Sequence, residues 1–338
     1  MKKIILYISL LLLYADFNFL IAQTYAGSSA GQFLKINVGA RAEAMGGAFV
    51  AVANDASSLY WNPAGVARLK NNSVSFSHTY WLAETYHNFA GIVIKLQNGN
   101  SLAFSYSSLA MDDMKVTNEY YQEGTGEYFS VSDIALGLSY AFNLTNDFSM
   151  GITGKYISQN IWHMNASAFA LDIGLFYYTP VNGLTLGMAV SNVGSKIKYE
   201  GEDNFIYYSF DRNLNGNNDK IFSEIKMDSW DLPLTFRVGL AYQLLKSNYN
   251  KILLSCDAVH PNDYNEYVNI GAEYSFKEIM FIRAGYKSLF KIDSEEGLTA
   301  GIGLLYYITD FIPMRVDYSY SDFGRLTEVH RLTLEIGF

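Results

Sequence analysis

The sequence predicts an all-β protein: a 14-stranded antiparallel transmembrane β-barrel with an N-terminal hatch/plug segment of short helices in its lumen. Three observations predict it. After residue 71 the side chains alternate between apolar and polar almost throughout, as they must in strands with one oily and one wet face. Aromatic residues make up 16% of the chain, with 27 Tyr and 22 Phe, a content suited to girdles at the two edges of a membrane band. The connections between strands also alternate in length, short then long, as periplasmic turns and external loops do in outer-membrane barrels.

The chain opens with Lys2 and Lys3, an apolar run from Ile4 to Leu13 and a small-residue site near Ala22. This predicts a secretory signal peptide over residues 1–22 and a mature chain starting near Gln23, outside the cytoplasm. No later segment approaches the roughly 20 uninterrupted apolar residues of a helical span. A membrane crossing is therefore expected through strands, with a hatch over 23–70 and the barrel over 71–338.

Residues 27 to 70 are rich in Gly and Ala and lack sustained alternation, which predicts a compact, buried insert. Asn54 or Asp55 stands where it can cap a short helix, and Pro63 stops that helix because the residue before a proline is pushed out of the helical region. The polar hatch residues Arg41, Glu43, Asp55 and Asn62, with Pro63 beside them, must sit inside a charged tube. Ion pairs from Arg41, Glu43 and Asp55 to lumen residues such as Arg315, Asp317 or Arg331 are expected.

Fourteen strands are predicted near residues 72–83, 86–97, 100–117, 127–143, 146–160, 166–179, 183–199, 229–245, 250–260, 265–277, 279–290, 297–308, 311–324 and 328–338. Parity sets their faces. One face carries Val74, Phe76, Ile92, Phe104, Leu138, Ile152, Leu171, Met188, Phe236, Ile270, Ile282, Ile302, Val316 and Leu332. The other carries the bases Lys95, Lys155, Arg237, Arg283, Lys287, Arg315 and Arg331 and the acids Asp133, Asp172, Asp257, Glu273, Asp317 and Glu335. An outward Arg or Lys at mid-membrane costs about 2 to 4 kcal/mol, so the charged face must be the lumen. Its near balance of sign predicts a network that pins a plug, not an ion-selective constriction. Gly137, Gly151, Gly174, Gly187 and Gly239 mark either strand kinks or positions relieved for a plug.

The tight connections, at residues 97–100, 143–146, 180–183, 246–249, 277–278 and 309–310, follow the even strands. This puts both chain ends on the periplasmic side. Within the long loop 200–228, Asp211, Asn213, Asn215 and Asp219 place oxygens at alternate positions around Gly216, like the first half of a calcium loop, but the twelfth position is Phe222 instead of a bidentate Glu. A weak structural calcium site and a solvated Asn-rich loop are both open readings; no other cofactor is expected.

Several function classes are excluded. Net charge is −9 and the bases are scattered, so no nucleic-acid surface is offered. Cys256 is the single cysteine, which removes disulfides and CxxC sites, and it reads as a small apolar strand residue. His78, His87, His163, His260 and His330 have neither metal-ligand spacing nor a nucleophile partner. His78 falls on the outward parity near the external rim, where it reads as a rim residue. Gly39 to Gly47 lacks the Lys-Ser or Lys-Thr of a phosphate loop. No enzyme is expected.

The run Gly39-Ala40-Arg41, Met45-Gly46-Gly47-Ala48, Asp55-Ala56-Ser57 and Trp61-Asn62-Pro63-Ala64-Gly65, followed by Ser77-His78-Thr79 and Trp81-Leu82, resembles the PorV/PorQ family of the FadL-like barrel superfamily. The resemblance implies a component or substrate carrier of type IX protein secretion, with secretion components or the C-terminal domains of secreted proteins as partners. The FadL relationship implies the alternative, a transporter of hydrophobic small molecules with a hydrophobic ligand. The final strand, ending on Phe338, resembles the sorting signal that the barrel-assembly machinery reads, and places the chain in the bacterial outer membrane among its lipids.

Overall fold

The computed structural model describes residues 27–208, 221–291, 294–309 and 311–338. The expected signal peptide and the expected calcium loop at 211–219 lie outside the described residues.

Fourteen long strands form one antiparallel sheet that closes on itself: β1 (Ser73–Tyr80), β2 (Thr85–Lys95), β3 (Ser101–Met111), β4 (Val131–Asn143), β5 (Phe148–Ile161), β6 (Met164–Tyr178), β7 (Leu184–Gly194), β8 (Thr235–Lys246), β9 (Asn250–Pro261), β10 (Tyr267–Phe276), β11 (Met280–Leu289), β12 (Leu298–Thr309), β13 (Ile312–Asp322) and β14 (Glu328–Gly337). Every strand pairs with its neighbours in sequence, and β1 pairs with β14 from Ser73↔Gly337 to Tyr80↔His330. Closure leaves no unpaired edge, the condition for a sheet in hydrocarbon. A fifteenth, three-residue strand, Tyr199–Gly201, extends the wall along β6.

The alternation sets the register. Outward Leu138, Ile282 and Ile302 are each more than half exposed, whereas inward Arg283, Asp317 and Arg331 are at most 2% exposed. A one-residue slip would carry every charge to the lipid side. Cys256 is on the outer wall, exposed, beside Leu254 on the same parity.

The predicted strands 100–117 and 127–143 run too far. β3 stops at Met111, before Asp112 and Asp113, and residues 114–115 pair with 128–129 as a separate hairpin. β7 likewise ends at Gly194, and β8 begins only after Pro233, which has no N–H to give a ladder. The two-residue turn Trp162-His163 is shorter than its place among the external connections predicts.

Residues 29–70 pack against the inward positions of the wall as two short 3-10 stretches, Gln32–Lys35 and Pro63–Arg68, and two short helices, α1 (Ala40–Ala44) and α2 (Ser58–Trp61). The only strand-like pairing of this inner segment among the described residues is the isolated bridge Ser29↔Asp231. Asn72 and Phe338 meet at the short-turn end, with the Phe338 N–H donating to Asn72 O at 3.0 Å. Ser29, however, lies among the long loops, at Asp231 and Asp263. Ser29 and Asn72 thus lie at opposite mouths of the barrel, and the expectation for the mature N-terminus lies outside the described residues. The reason is apolar. Phe33, Leu34 and Ile36 bury into a cluster with Ala135, Ile157, Ala166, Ala168, Ala170, Ile197 and Leu232.

Candidate functional site: the braced lumen

α1 begins where Gly39, at φ 84°, turns the chain, and the Ala40 N–H donates to Thr333 Oγ1 on β14 at 2.8 Å. Two residues apart on this one-turn helix, Arg41 and Glu43 point to different parts of the lumen, and each finds a separate set of partners.

Arg41 enters a closed circuit of alternating charge. It grips Glu273 of β10 with two hydrogen bonds, 2.8 and 3.0 Å. Glu273 accepts from Arg283 of β11 at 2.6 Å, and Arg283 donates to Asp317 of β13 at 2.6 Å. Asp317 accepts from Arg315 at 2.9 Å, and Arg315 reaches Asp55 at 2.9 Å. Asp55 returns to Arg41 at 3.2 Å. Glu335 of β14 hangs from the circuit, taking a bond from Arg315 at 2.5 Å and another from the Ala56 N–H at 3.1 Å. Planar guanidinium forks suit such two-sided recognition of carboxylates.

Glu43, buried completely, is the centre of a second set. Lys287 of β11 donates at 3.1 Å, Ser321 of β13 at 2.8 Å and Asn37 at 2.8 Å, with Arg331 of β14 at 3.4 Å. Lys287 also bridges to Glu296 in the β11–β12 loop at 2.8 Å. Burial disfavours the Glu43 charge, but Lys287 and Arg331 outweigh it and hold the carboxyl down at about 2. Asp55 is treated the same way: burial raises it, and Arg315 and Arg41 together bring it below its ordinary value.

The structure brings Glu43 to Arg331 and Asp55 to Arg315. Arg41 and Asp317 are not bonded directly; Glu273 and Arg283 stand between them. Parity had marked Glu273, Arg283 and Lys287 as inward, but nothing local says which carboxylate faces which base across a tube. Glu296 is in a loop, where alternation carries no signal.

Backbone groups are held as well. Asp257 of β9 accepts from the N–H groups of Phe49 and Val50 at 2.7 and 2.9 Å. Asn62 is fully buried: its amide donates to Val50 O and Leu175 O, both at 2.9 Å, and its oxygen accepts from the Ala64 N–H at 3.1 Å. Pro63 follows at the first position of the 3-10 turn, where no N–H is needed. The expected cap at Asn54 or Asp55 is corrected: the N-cap residue of α2 is Ser57, without a side-chain cap bond, and Asp55 accepts the Ser57 N–H at 3.0 Å ahead of it; α2 ends at Trp61, two residues before Pro63.

On the other side of the lumen the inner segment touches the wall itself. A Cβ at Gly174 would lie 2.1 Å from Asn62 Oδ1, and one at Gly151 2.4 Å from the Pro63 carbonyl carbon. Gly187 faces Val50 and Ala51 in the same way, whereas a Cβ at Gly239 would meet Asp257 of the neighbouring strand at 2.3 Å before Ala51 N at 3.1 Å, and one at Gly137 would meet Ser105 of the neighbouring strand and not the inner segment. None of these five coincides with a register shift; the shifts fall at 171/173, 243/245, 268/270 and 307/309. These glycines relieve crowding, not kinks.

The family model of the Type IX secretion system protein PorV matches residues 22–232, which is more than half of the chain. The chain belongs to the PorV family. The match takes in the whole inner segment and β1 to β7 of this PorV-family barrel. Among solved structures, the Pseudomonas putida toluene transporter TodX superimposes with a TM-score of 0.56 at 11% identity, covering 89% of this chain and 97% of that one. The Ralstonia pickettii toluene transporter TbuX gives 0.54 at 12%, covering 89% and 97%, and the CymD monoaromatic hydrocarbon channel 0.55 at 14%, covering 90% and 98%. At such identities the likeness is one of fold. No curated protein matches the sequence. Family membership and the closed wall place this PorV-family chain in the bacterial outer membrane.

Proposed function

We propose that this chain is a non-enzymatic barrel whose lumen is shut by a hatch over residues 23–70. It serves type IX protein secretion as a PorV-like component or substrate carrier, engaging secretion components or the C-terminal domains of secreted proteins through its external loops. One observation carries the reading: the closed circuit Arg41–Glu273–Arg283–Asp317–Arg315–Asp55, in which charge alternates in sign and the segment pair Arg41–Asp55 is clamped at both ends by the wall. Opening a path through the lumen would strand several buried charges at once, each costing several kcal/mol unless paired. A barrel braced in this way works by its surface.

The FadL-like reading, a transporter for a hydrophobic ligand, is favoured by the fold shared with TodX and TbuX. The cavity room is divided: a space lined by Leu34, Leu59, Tyr60, Phe89 and Lys155 measures about 30 Å³, room for one water and not for a hydrocarbon, whereas a recess at the short-turn mouth, between Ala51 and Val52 of the inner segment and Phe176, Thr185 and Ala241 of the wall, measures about 630 Å³. Affinity purification from native outer membranes separates the two. Co-purified secretion components or exported C-terminal domains support the first; a bound hydrophobic molecule with no protein partner overturns it in favour of the second. A freely conducting wild-type barrel in planar bilayers would sink the hatch.

A further inference from the structure

The outer wall carries a recess that neither reading uses. Across β3 to β7 the outward row Phe104, Leu138, Gly154, Leu171 and Val193 is in direct register, and Gly154 is the one position in it without a side chain. A Cβ at Gly154 would meet nothing within 4 Å, unlike the inward glycines. The row two residues nearer the long loops, Leu136, Tyr156 and Phe169, forms the upper lip, with the Tyr156 and Phe169 rings 5.3 Å apart. The recess measures about 580 Å³, within the range of sites that hold small hydrophobic molecules.

Its lining is almost wholly apolar and ends at Ser195, beyond which the chain carries two lysines. Ser195 lines the recess and is tied to β6 by the Phe169 N–H, which donates to Ser195 Oγ at 3.1 Å. Ile197 then turns inward and is buried, so Lys196 and Lys198 face out. Their present partners are Asp231 at 3.3 Å and Glu200 at 3.1 Å, both pairs substantially exposed and of the kind that contributes little. A phosphate oxygen offers these ammonium groups a stronger acceptor.

We propose that this recess holds one acyl chain of an anionic phosphate-bearing lipid, with the chain in the Gly154 notch and the headgroup at Lys196 and Lys198. The position argues for a membrane-dissolved occupant, since the lining faces hydrocarbon. The two outward lysines one and three residues beyond the lining Ser195 argue for negative charge.

Native mass spectrometry of the detergent-purified barrel, titrated with dioleoyl phosphatidylglycerol and with dioleoyl phosphatidylcholine, tests this. One phosphatidylglycerol should be retained about tenfold more tightly than phosphatidylcholine. Gly154→Leu should fill the notch and release both lipids, and Lys196→Glu with Lys198→Glu should remove the preference for phosphatidylglycerol while leaving acyl-chain binding. A heat-shifted gel mobility confirms that each variant is folded, and the lysine variant stands as the test if Gly154→Leu does not fold. Equal retention of the two lipids, or several equivalent lipids indifferent to both variants, would identify ordinary boundary lipid and overturn the proposal.

Discussion

Both halves of the barrel let the inner segment come close at glycines, Gly271, Gly285 and Gly301 against Ala44, Met45 and Gly46 as much as Gly151, Gly174 and Gly187 against Val50, Asn62 and Pro63, but they differ in how much charge they add. From β10 to β14 the wall offers Glu273, Arg283, Lys287, Arg315, Asp317, Arg331 and Glu335, and grips α1 and Asp55 through ions. From β3 to β7 it offers Ala103, Ala135, Ala168, Gly151, Gly174 and Gly187, and grips Phe33, Leu59, Asn62 and Pro63 by close approach. The contrast shows how direction and tightness divide between interactions. Ion pairs fix which residue meets which, at a desolvation cost that nearly cancels their attraction. Small residues fix nothing in particular but allow backbone to touch backbone, where dispersion and hydrogen bonds such as those of Asn62 act at full strength.

Both halves fail together when residues 27–70 are deleted. That change should give the largest effect, a barrel that still inserts but conducts ions steadily in planar bilayers where the full chain is silent. On the ionic side alone, Arg41→Ala leaves Glu273 and Asp55 facing each other's field without their shared cation. A loss of about 3 to 5 kcal/mol is expected, the range for breaking a buried pair by removing one partner, read as a shift in urea unfolding in detergent. On the packed side, Gly174→Val should cost about 1 to 3 kcal/mol by overpacking against Asn62 and Pro63, and in the same assay should leave the Arg41 circuit intact. If Gly174→Val proved neutral, the close approach would not be a constraint.

Acid should give the smallest response. Glu43 and Asp55 have values below those of free carboxyls, so their contribution is complete above the ordinary Glu value of 4.5 and is lost only as pH falls toward the Glu43 value of about 2. Bilayer recordings should stay closed from pH 7 to pH 4. Opening near pH 5 would mean that the circuit is not what holds the segment.

Much of the wall was legible because a strand in a membrane announces its two faces in every second residue. The run from Arg331 to Phe338 is an example: Leu332 and Leu334 face outward, Arg331 and Thr333 are buried. The Asn62-Pro63-Ala64 turn was legible as a family mark, and its chemistry agrees, since Asn caps the turn that Pro begins. Strand ends were less legible where charge or proline interrupts without changing parity, as at Asp112 and Pro233. Within the site, the membership of Arg315, Asp317, Arg331 and Glu335 followed from parity, whereas the insertion of Arg283 between Arg41 and Asp317 did not.

Alternation is local, read over two residues, so the amino-acid sequence alone determined the barrel, its strand number, its lipid-facing set and the inward charges. Partnership across the lumen is not local. Glu43 and Lys287 are separated by most of the chain and meet only because closure and strand stagger bring β11 beside α1. The travel of the inner segment from the long-loop mouth to the start of β1 was decided in the same way, by where an apolar Phe33-Leu34 pair finds alanines to bury against once the ring has closed.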